Sequence, residues 1–316
     1  ELATDIERDF AGKDLLIVAL LTGLLLDLPS AQATESWAVP LHYLVTWPIV
    51  VLFFLHPSRI ALRRAQAWAR SLPSLPPGCT YFNFTASHDG IGVRAVESIL
   101  DTDELTTLVE TTRARGGFIS TRSMSDGSTQ PYELNISYYD LLVAPETRDT
   151  PTHIDRFVVS QAIAMALDGI PALYFHSLTA THNDLPRVEE SGRYRTINRR
   201  KWDVGELEYQ LASQSHHAAV FARLKHLLAV RARQPALHPD ATQTLVDLGP
   251  HLFAVQRRGQ GQTLLALHNV TDRPVKVPAH VLPEARVRRN VVASTEISGS
   301  SRSITLGPYE VAWISS

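Results

Sequence analysis

The fold of this chain is decided by a run in its first third, Phe82-Asn83-Phe84-Thr85-Ala86-Ser87-His88-Asp89-Gly90-Ile91-Gly92. The pattern predicts a strand over residues 79–86 that delivers His88 and Asp89 to its carboxyl end. The glycines that follow let the backbone turn away and leave room for a ligand. A strand that presents an imidazole and a carboxylate in this way is typical of the catalytic rim of a (β/α)8 barrel. The dipeptide alone leaves a second interpretation open, a solvated turn after an edge strand.

Composition excludes several classes of protein. With Lys+Arg 30 against Asp+Glu 32 the formal net charge is -2, which gives no reason to expect a nucleic acid partner. The single cysteine, Cys79, excludes an intramolecular disulfide and fits a reducing, cytoplasmic location. No Cys/His spacing resembles a metal site, and the pair His216-His217 is interpreted as a helix surface. No glycine loop resembles a nucleotide site, so neither a metal nor an organic cofactor is expected.

Residues 1–62 differ from the rest of the chain. Residues 15–26 and 36–55 carry no charged side chain, if His42 is neutral. The second stretch approaches the roughly 20 residues that a bilayer span needs, and arginines follow it. Pro40 and Pro48 interrupt it, so buried helices are the favoured interpretation and a membrane segment is the alternative.

From residue 63 onward the pattern alternates helix with strand. A helix is expected to end near residue 72, and Asp101 with Glu104 has the spacing of a capping box at the start of the next helix. Residues 119–130 are polar and predict a loop. The whole segment 91–150 is expected to be an insertion at the catalytic face of a barrel.

A second helix–strand unit follows the insertion. Residues 152–155 predict the start of a helix that ends at Asp168-Gly169, and residues 171–175 predict a short buried strand. Strand, helix and strand in this order predict a parallel pair. Residues 209–234 predict one long helix.

From residue 244 the pattern has a period of two. Short strands are predicted at 252–257, 263–268 and 310–314, separated by Gly, Pro and Asn turns. Together they indicate a small antiparallel β-sandwich over residues 244–316.

With these elements in place, the chain resembles the α-amylase clan, glycoside hydrolase family 13. The likeness is closest to the sucrose phosphorylase-like branch, which includes glucosylglycerate phosphorylases. The residues that carry it are Thr85-Ala86-Ser87-His88-Asp89-Gly90-Ile91-Gly92, Pro131-Tyr132-Glu133-Leu134-Asn135-Ile136-Ser137-Tyr138, Gly169-Ile170-Pro171-Ala172-Leu173-Tyr174-Phe175-His176-Ser177 and Gly192-Arg193-Tyr194-Arg195-Thr196-Ile197-Asn198-Arg199. The resemblance implies an α/β fold over residues 63–243, with the last two strands of a (β/α)8 barrel and an inserted subdomain. A C-terminal β-sandwich follows.

The resemblance also implies roles for His88 and Asp89. In the family this pair binds hydroxyls of the glucosyl ring beside the scissile bond, and the carboxylate stabilises a positive, oxocarbenium-like transition state. The chemistry agrees, because a carboxylate can accept from two neighbouring hydroxyls and such contacts strengthen as charge develops. The alternative is that the pair merely anchors a loop.

Further site residues follow from the same likeness. The segment with Gln130, Tyr132, Glu133 and Asn135 resembles the acceptor side of sucrose phosphorylases, where it would select acceptor and phosphate; a structured lid is the alternative. The remaining positions resemble regions that face the same pocket: His182, Asn183, Asp184, Arg195 and Arg199. A guanidinium group suits phosphate or carboxylate recognition, although an arginine is also often simply solvated. Tyr138, Tyr139 and Trp202 are interpreted as packing residues.

A retaining mechanism needs two further carboxyl groups about 5 Å apart, a nucleophile and an acid/base. The family places them on earlier barrel strands, and neither Arg8-Asp9 nor Thr34-Glu35 has the matching pattern. We therefore expect that this chain alone does not turn over substrate. It would be the downstream part of a longer enzyme, a degenerate sugar-binding homologue, or a relic fused to a membrane anchor.

The function expected from the resemblance is reversible phosphorolysis of an α-glucoside, of glucosylglycerate or sucrose type, with release of α-glucose 1-phosphate and retention of configuration. A sugar and inorganic phosphate would be the partners. The alternatives are a hydrolase or transglucosylase of the same clan, and a non-catalytic sugar-binding remnant.

Overall fold

The computed structural model describes residues 66–73, 75, 79–93 and 100–316. The predictions for residues 1–62 lie outside this part of the chain. None of the helices in the described part combines the length with the apolar character that a bilayer span requires.

The strands and helices have the following bounds. The strands are β1 (Phe82–Asn83), β2 (Ile91–Gly92), β3 (Phe118–Ser123), β4 (Thr129–Asn135), β5 (Ile170–Pro171), β6 (Thr242–Asp247), β7 (Leu252–Gly259), β8 (Gln262–Asn269), β9 (Val275–Pro278), β10 (Val287–Asn290), β11 (Thr295–Ser298), β12 (Ser303–Leu306) and β13 (Val311–Ser315). Residues 66–71 are helical, and the α-helices after residue 100 are α1 (Thr102–Ala114), α2 (Tyr138–Leu141), α3 (Pro151–Ala166), α4 (Phe175–Leu178), α5 (Leu185–Ser191), α6 (Val204–Ala212) and α7 (His216–Arg231). Short 3-10 helices lie at Pro145–Thr147, Tyr194–Asn198, Pro235–Leu237 and Ala279–Val281.

The parallel pair predicted from the sequence is present. Strand β1 pairs with β5, and helix α3 precedes β5 in the chain. Gly169 enters β5 with φ +118°, and a Cβ atom at this position would lie 2.5 Å from the carbonyl oxygen of Tyr81. Only glycine allows the two backbones to approach this closely.

The segment between β1 and α3 folds into a helix and a three-stranded antiparallel sheet in the order β2-β4-β3. Helix α1 begins with the predicted capping box, in which the Asp101 side chain accepts from the Glu104 amide and the Glu104 side chain accepts from the Asp101 amide. Strand β4 ends beside the turn that carries Asp89. The insertion therefore builds one wall of the candidate site.

The C-terminal part forms a six-stranded sheet in the order β11-β10-β13-β8-β7-β6 and a second, two-stranded sheet of β12 and β9. Alternate residues of β7 and β8 face two different cores. Phe253 and Val255 pack with helices α3 and α7, while Leu252 and Ala254 pack with Val277 of the second sheet. This alternation is what the period of two in the sequence predicts for a sandwich that also covers a neighbouring layer. The predicted strands at 252–257, 263–268 and 310–314 are confirmed.

Several local predictions were wrong. Residues 119–130 are not a loop, because most of them belong to the β3–β4 hairpin. The predicted helix at 209–234 is two helices, because the Ser215 side chain accepts from the Ala218 amide and starts α7. The start of α3 is capped by Thr150 rather than Thr152.

The bounds predicted for the two parallel strands were also too wide. The strand expected at 79–86 has ladder pairing only at Phe82–Asn83. The strand expected at 171–175 is confined to Ile170–Pro171, because the chain enters α4 at Phe175.

Candidate active site

The tip of the candidate site is a tight turn after β1. The amides and carbonyls of Ser87 and Gly90 hydrogen-bond to each other at 3.2 and 3.1 Å, which places His88 and Asp89 at the tip. Gly90 has φ +118°, and a Cβ atom there would lie 2.6 Å from the carbonyl oxygen of Leu134. The turn therefore needs glycine in order to press against β4.

Three side chains from distant parts of the chain donate hydrogen bonds to the carbonyl groups of the turn. Asn198 Nδ2 donates to the carbonyl of Ser87 at 2.6 Å, Arg199 Nε donates to that of His88 at 3.1 Å, and Asn135 Nδ2 donates to that of Asp89 at 3.4 Å. The position of the turn is consequently fixed through its backbone.

The carboxylate of Asp89 lies among cationic groups. Its Oδ1 is 2.5 Å from Arg199 Nη2, 3.5 Å from Arg195 Nη1 and 3.5 Å from His88 Nε2. The Asp89 and His88 side chains are still 37% and 39% exposed. They can therefore be reached by a small molecule while their geometry is already set.

A second carboxylate holds Arg195 in place. Arg195 Nε and Nη2 donate to the two oxygens of Glu133 at 2.9 and 3.3 Å, and Asn135 Nδ2 donates to Glu133 Oε2 at 2.8 Å. Partial burial lowers the pKa of Arg195, but the hydrogen bonds and charge of Glu133 outweigh it, so the pKa is raised. Because all three nitrogens of Arg195 face carboxylates, its guanidinium group positions the site.

The site is closed on another side by the segment after β5. The Tyr174 hydroxyl donates to the carbonyl of Asn198 at 2.7 Å, and His176 Nε2 lies 3.0 Å from the carbonyl of Arg200. Burial raises the pKa of Tyr174 and lowers that of His176. Both rings therefore remain neutral near neutral pH and serve to hold the segment that carries Arg199.

Two further predicted residues lie on β4, where Tyr132 is near enough to Arg195 to interact with it electrostatically. Gln130 pairs with Arg122 across the β3–β4 hairpin and is exposed. Tyr132 is 37% exposed, and its carbonyl oxygen accepts from the Val93 amide. Ser120 and Thr121 pair with Glu133 and Pro131, so Tyr132 is an extra residue of β4 and the alternation of faces along this strand is interrupted there.

The run His182-Asn183-Asp184 is tied into the protein by its own contacts. Asn183 Oδ1 accepts from the Ser137 amide at 2.7 Å, and Asp184 caps α5. His182 lies between two carboxylates, with Nδ1 2.5 Å from Asp140 Oδ1 and Nε2 3.1 Å from Asp149 Oδ2. Burial lowers the pKa of His182, but the two carboxylates outweigh it and raise the pKa to about 9.

Sequence reasoning missed Asn198, which joins the turn at Ser87 to Tyr174. It lies inside the quoted motif, but an amide between two arginines gave no charge signal. Asn83 on β1 and Thr85 just after it were also missed; both are buried, Asn83 Nδ2 donates to the carbonyl of Asp168, and Thr85 accepts from Gln161. Polar residues inside an apolar alternation are the signal that could have found them.

Comparison with curated proteins gives three similar relatives, all named glucosylglycerate phosphorylase. The protein from Allomeiothermus silvanus is 37% identical over 254 residues, which cover 79% of this chain and 43% of the relative. The Escherichia coli protein is 32% identical over 78% of this chain and 44% of its own length. The Spirochaeta thermophila protein is 33% identical over 91% and 49%. The chain thus spans less than half the length of these relatives.

Solved structures agree on the fold. Sucrose 6F-phosphate phosphorylase from Thermoanaerobacter thermosaccharolyticum matches with a TM-score of 0.58 and 22% identity, over 71% of this chain and 42% of that one. An Anoxybacillus α-amylase matches with a TM-score of 0.53 and 12% identity, over 85% and 45%. Residues 249–314 match the family model of the D-apionate lactonase C-terminal immunoglobulin-like domain.

The fold is that of α-amylase-type glycoside hydrolase family 13 structures, with barrel strands followed by an immunoglobulin-like sandwich. Over most of its length the chain is a homologue of the glucosylglycerate phosphorylases, and it spans less than half of theirs.

Proposed function

We propose that His88 and Asp89 bind the glucosyl ring of an α-glucoside, of the glucosylglycerate type, that is cleaved by phosphate, and that Arg199 binds a phosphate or glycerate oxygen. The observation that carries the proposal is the Asp89 carboxylate. The turn that bears it is fixed by hydrogen bonds from Asn198, Arg199 and Asn135, and yet the Asp89 side chain is 37% exposed. The names of three similar curated relatives support the substrate class.

In the proposed reaction a carboxylate nucleophile bonds to C1 as the glycosidic C1–O bond breaks, and the leaving oxygen takes up a proton from the acid/base. A phosphate oxygen then bonds to C1 as the bond to the nucleophile breaks, so that α-glucose 1-phosphate forms with retention. Asp89 accepts hydrogen bonds from ring hydroxyls, and its negative charge stabilises the positive charge that develops at the ring. Arg199 binds Asp89 and the His88 carbonyl through Nη2 and Nε, and its Nη1 is the donor we assign to a phosphate or glycerate oxygen.

The nucleophile and the acid/base are not among the residues assigned here. We propose that the 316-residue chain binds the sugar and that its site is one part of a complete active site. Glu133 and Asp89 are not the reacting pair in this proposal, because Glu133 is buried and bound by Arg195.

The binding test is calorimetric titration of the purified chain with α-glucose 1-phosphate. Asp89→Asn should weaken binding about 10- to 100-fold, which corresponds to the roughly 1.5–3 kcal/mol of a hydrogen bond to a charged group. Asp155→Asn is the matched control, because Asp155 pairs with Arg223 at 2.5 Å with 36% and 42% exposure. This control should bind within about twofold of the unchanged chain. No binding, or equal effects of both substitutions, would contradict the proposal.

The turnover test uses glucosylglycerate and sucrose, with and without phosphate. We expect no product from the chain alone. Phosphate-dependent turnover would place both reacting carboxyl groups within it, and product formation without phosphate would favour a hydrolase or transglucosylase.

A further inference from the structure

A second group of chemically active side chains lies apart from the Asp89 turn. It unites Asp149 from the loop before α3, His182 from the loop after α4 and His216 at the start of α7. Among the described residues, these three offer one ligand atom each, all within 4.8 Å of one another. The glucosyl-binding proposal does not use His216 or Asp149.

The distances match those of a metal site. Asp149 Oδ2 lies 3.1 Å from His182 Nε2 and 3.4 Å from His216 Nδ1. Bonds of about 2.0–2.1 Å around tetrahedral Zn²⁺ separate the ligand atoms by roughly 3.3 Å. Two of the three distances between prospective ligand atoms are therefore already close to the value that Zn²⁺ requires.

Each prospective ligand is oriented by an outer partner. His182 Nδ1 is 2.5 Å from Oδ1 of the buried Asp140, and the Tyr139 hydroxyl donates to Asp149 Oδ1 at 3.1 Å. His216 Nε2 lies 3.2 Å from the carbonyl oxygen of Ala180. Since a carbonyl oxygen only accepts, Nε2 carries the proton and the lone pair of Nδ1 points toward Asp149. Such carboxylate and carbonyl partners are what orient histidine ligands in metal sites.

The group is open to solvent and carries suitable charge. The side chains of Asp149, His182 and His216 are 38%, 29% and 14% exposed. Once His182 releases its proton on binding a metal ion, Asp140 and Asp149 contribute two negative charges, of which Arg148, 3.4 Å from Asp140, offsets one. A divalent cation is thus electrostatically favoured over an anion.

We propose that Asp149, His182 and His216 bind a divalent first-row transition metal ion, for which Zn²⁺ is the best fit, with the fourth position open to water. Imidazole and carboxylate ligands suit this class of ion, whereas Ca²⁺ and Mg²⁺ prefer oxygen ligands alone. The ion would join three segments that are distant in the sequence. The competing arrangement is a metal-free ion pair, in which protonated His182 donates to both carboxylates.

The test uses the full chain without an affinity tag, in a Cys79→Ser background because Cys79 is exposed and could bind zinc adventitiously. After dialysis against a chelator, the protein is titrated with Zn²⁺ in a calorimeter, and retained metal is measured after desalting. We expect one Zn²⁺ per chain and at least tenfold weaker binding by His216→Ala. The control is His226→Ala, an exposed histidine on the same helix, which should bind as the parent does.

The variant Asp149→Asn distinguishes loss of the metal site from loss of the fold. Asp149 has φ +60°, which asparagine tolerates, and the amide oxygen can still accept from Tyr139. This variant should still unfold cooperatively without metal, at a temperature lowered only by the loss of its ion pair with His182, and should also bind Zn²⁺ at least tenfold more weakly. Absence of stoichiometric binding by the parent would overturn the proposal, as would unchanged binding by either cluster variant or an equal loss in His226→Ala.

Discussion

The Glu133–Arg195 ion pair is the contact whose removal tests the architecture of the site most directly. Its two hydrogen bonds measure 2.9 and 3.3 Å, and the Glu133 side chain is 7% exposed while that of Arg195 is 44% exposed. Exposed pairs contribute about 0.2–1 kcal/mol, whereas breaking a buried pair costs about 3–5 kcal/mol. One buried and one exposed partner place the coupling energy near 2 kcal/mol.

The assay is a double-mutant cycle of urea unfolding with Glu133→Gln, Arg195→Met and both together. The Asp155–Arg223 pair supplies the control cycle, because both partners are more than one third exposed. We expect its coupling energy to stay below about 1 kcal/mol. Equal coupling energies in the two cycles would refute the argument that burial of Glu133 gives the pair its strength.

The same cycle has a consequence for ligand binding. Arg195 Nη1 already lies 3.5 Å from Asp89 Oδ1, so loss of the Glu133 charge should draw the guanidinium group toward Asp89. Glu133→Gln should then weaken binding of α-glucose 1-phosphate, although Glu133 is assigned no contact with the sugar.

Three further predictions test the fold. Gly169→Ala should destabilise the chain by about 2–6 kcal/mol in urea unfolding, because it adds backbone strain and overpacks the contact with the neighbouring strand. The control is Gly127→Ala, which has φ +82° and no neighbour within 4 Å and should cost only about 1 kcal/mol. Burial lowers the pKa of His268 to about 4, so only the unfolded state takes up this proton as the pH falls from about 6.5 toward 4. The free energy of unfolding should therefore fall by up to about 1.4 kcal/mol per pH unit over this range. Urea unfolding curves that show no such slope, or a slope that His268→Asn leaves unchanged, would contradict this prediction. Asp101→Ala should cost about 1 kcal/mol through loss of the capping box, measured in the same urea assay.

Local signals in the sequence predicted local structure well. The capping box at Asp101 depends on residues three positions apart, and the sandwich strands depend on an alternation within each strand, so both were readable. The β3–β4 hairpin was missed because Phe118–Ser123 carries mostly polar side chains, which composition alone cannot distinguish from a loop. Its strand character comes from pairing with β4 and from the packing of Ile119 on the core.

The contents of the candidate site were only partly readable, because its contacts span long distances in the chain. The pattern at the end of β1 predicted His88 and Asp89 as site residues, and a motif match predicted Arg195 and Arg199. Nothing local could show that Arg195 would bind Glu133, 62 residues away, or that Asn198 would bind the carbonyl of Ser87, 111 residues away. The metal-like group is harder still, since its members come from three loops and helix ends with no common spacing.

The hydrogen bonds to the carbonyl groups of the turn explain why residues so distant in the sequence contribute to one site. Asn198, Arg199 and Asn135 hold the carbonyl groups of three consecutive residues, so the turn does not depend on the Asp89 side chain for its shape. Arg199 uses one nitrogen for this backbone contact and another for the carboxylate, which aligns the Asp89 side chain relative to its own backbone. Asp89→Asn should accordingly remove a charge while leaving the turn where it is, and a loss of sugar binding in that variant can be assigned to the charge itself.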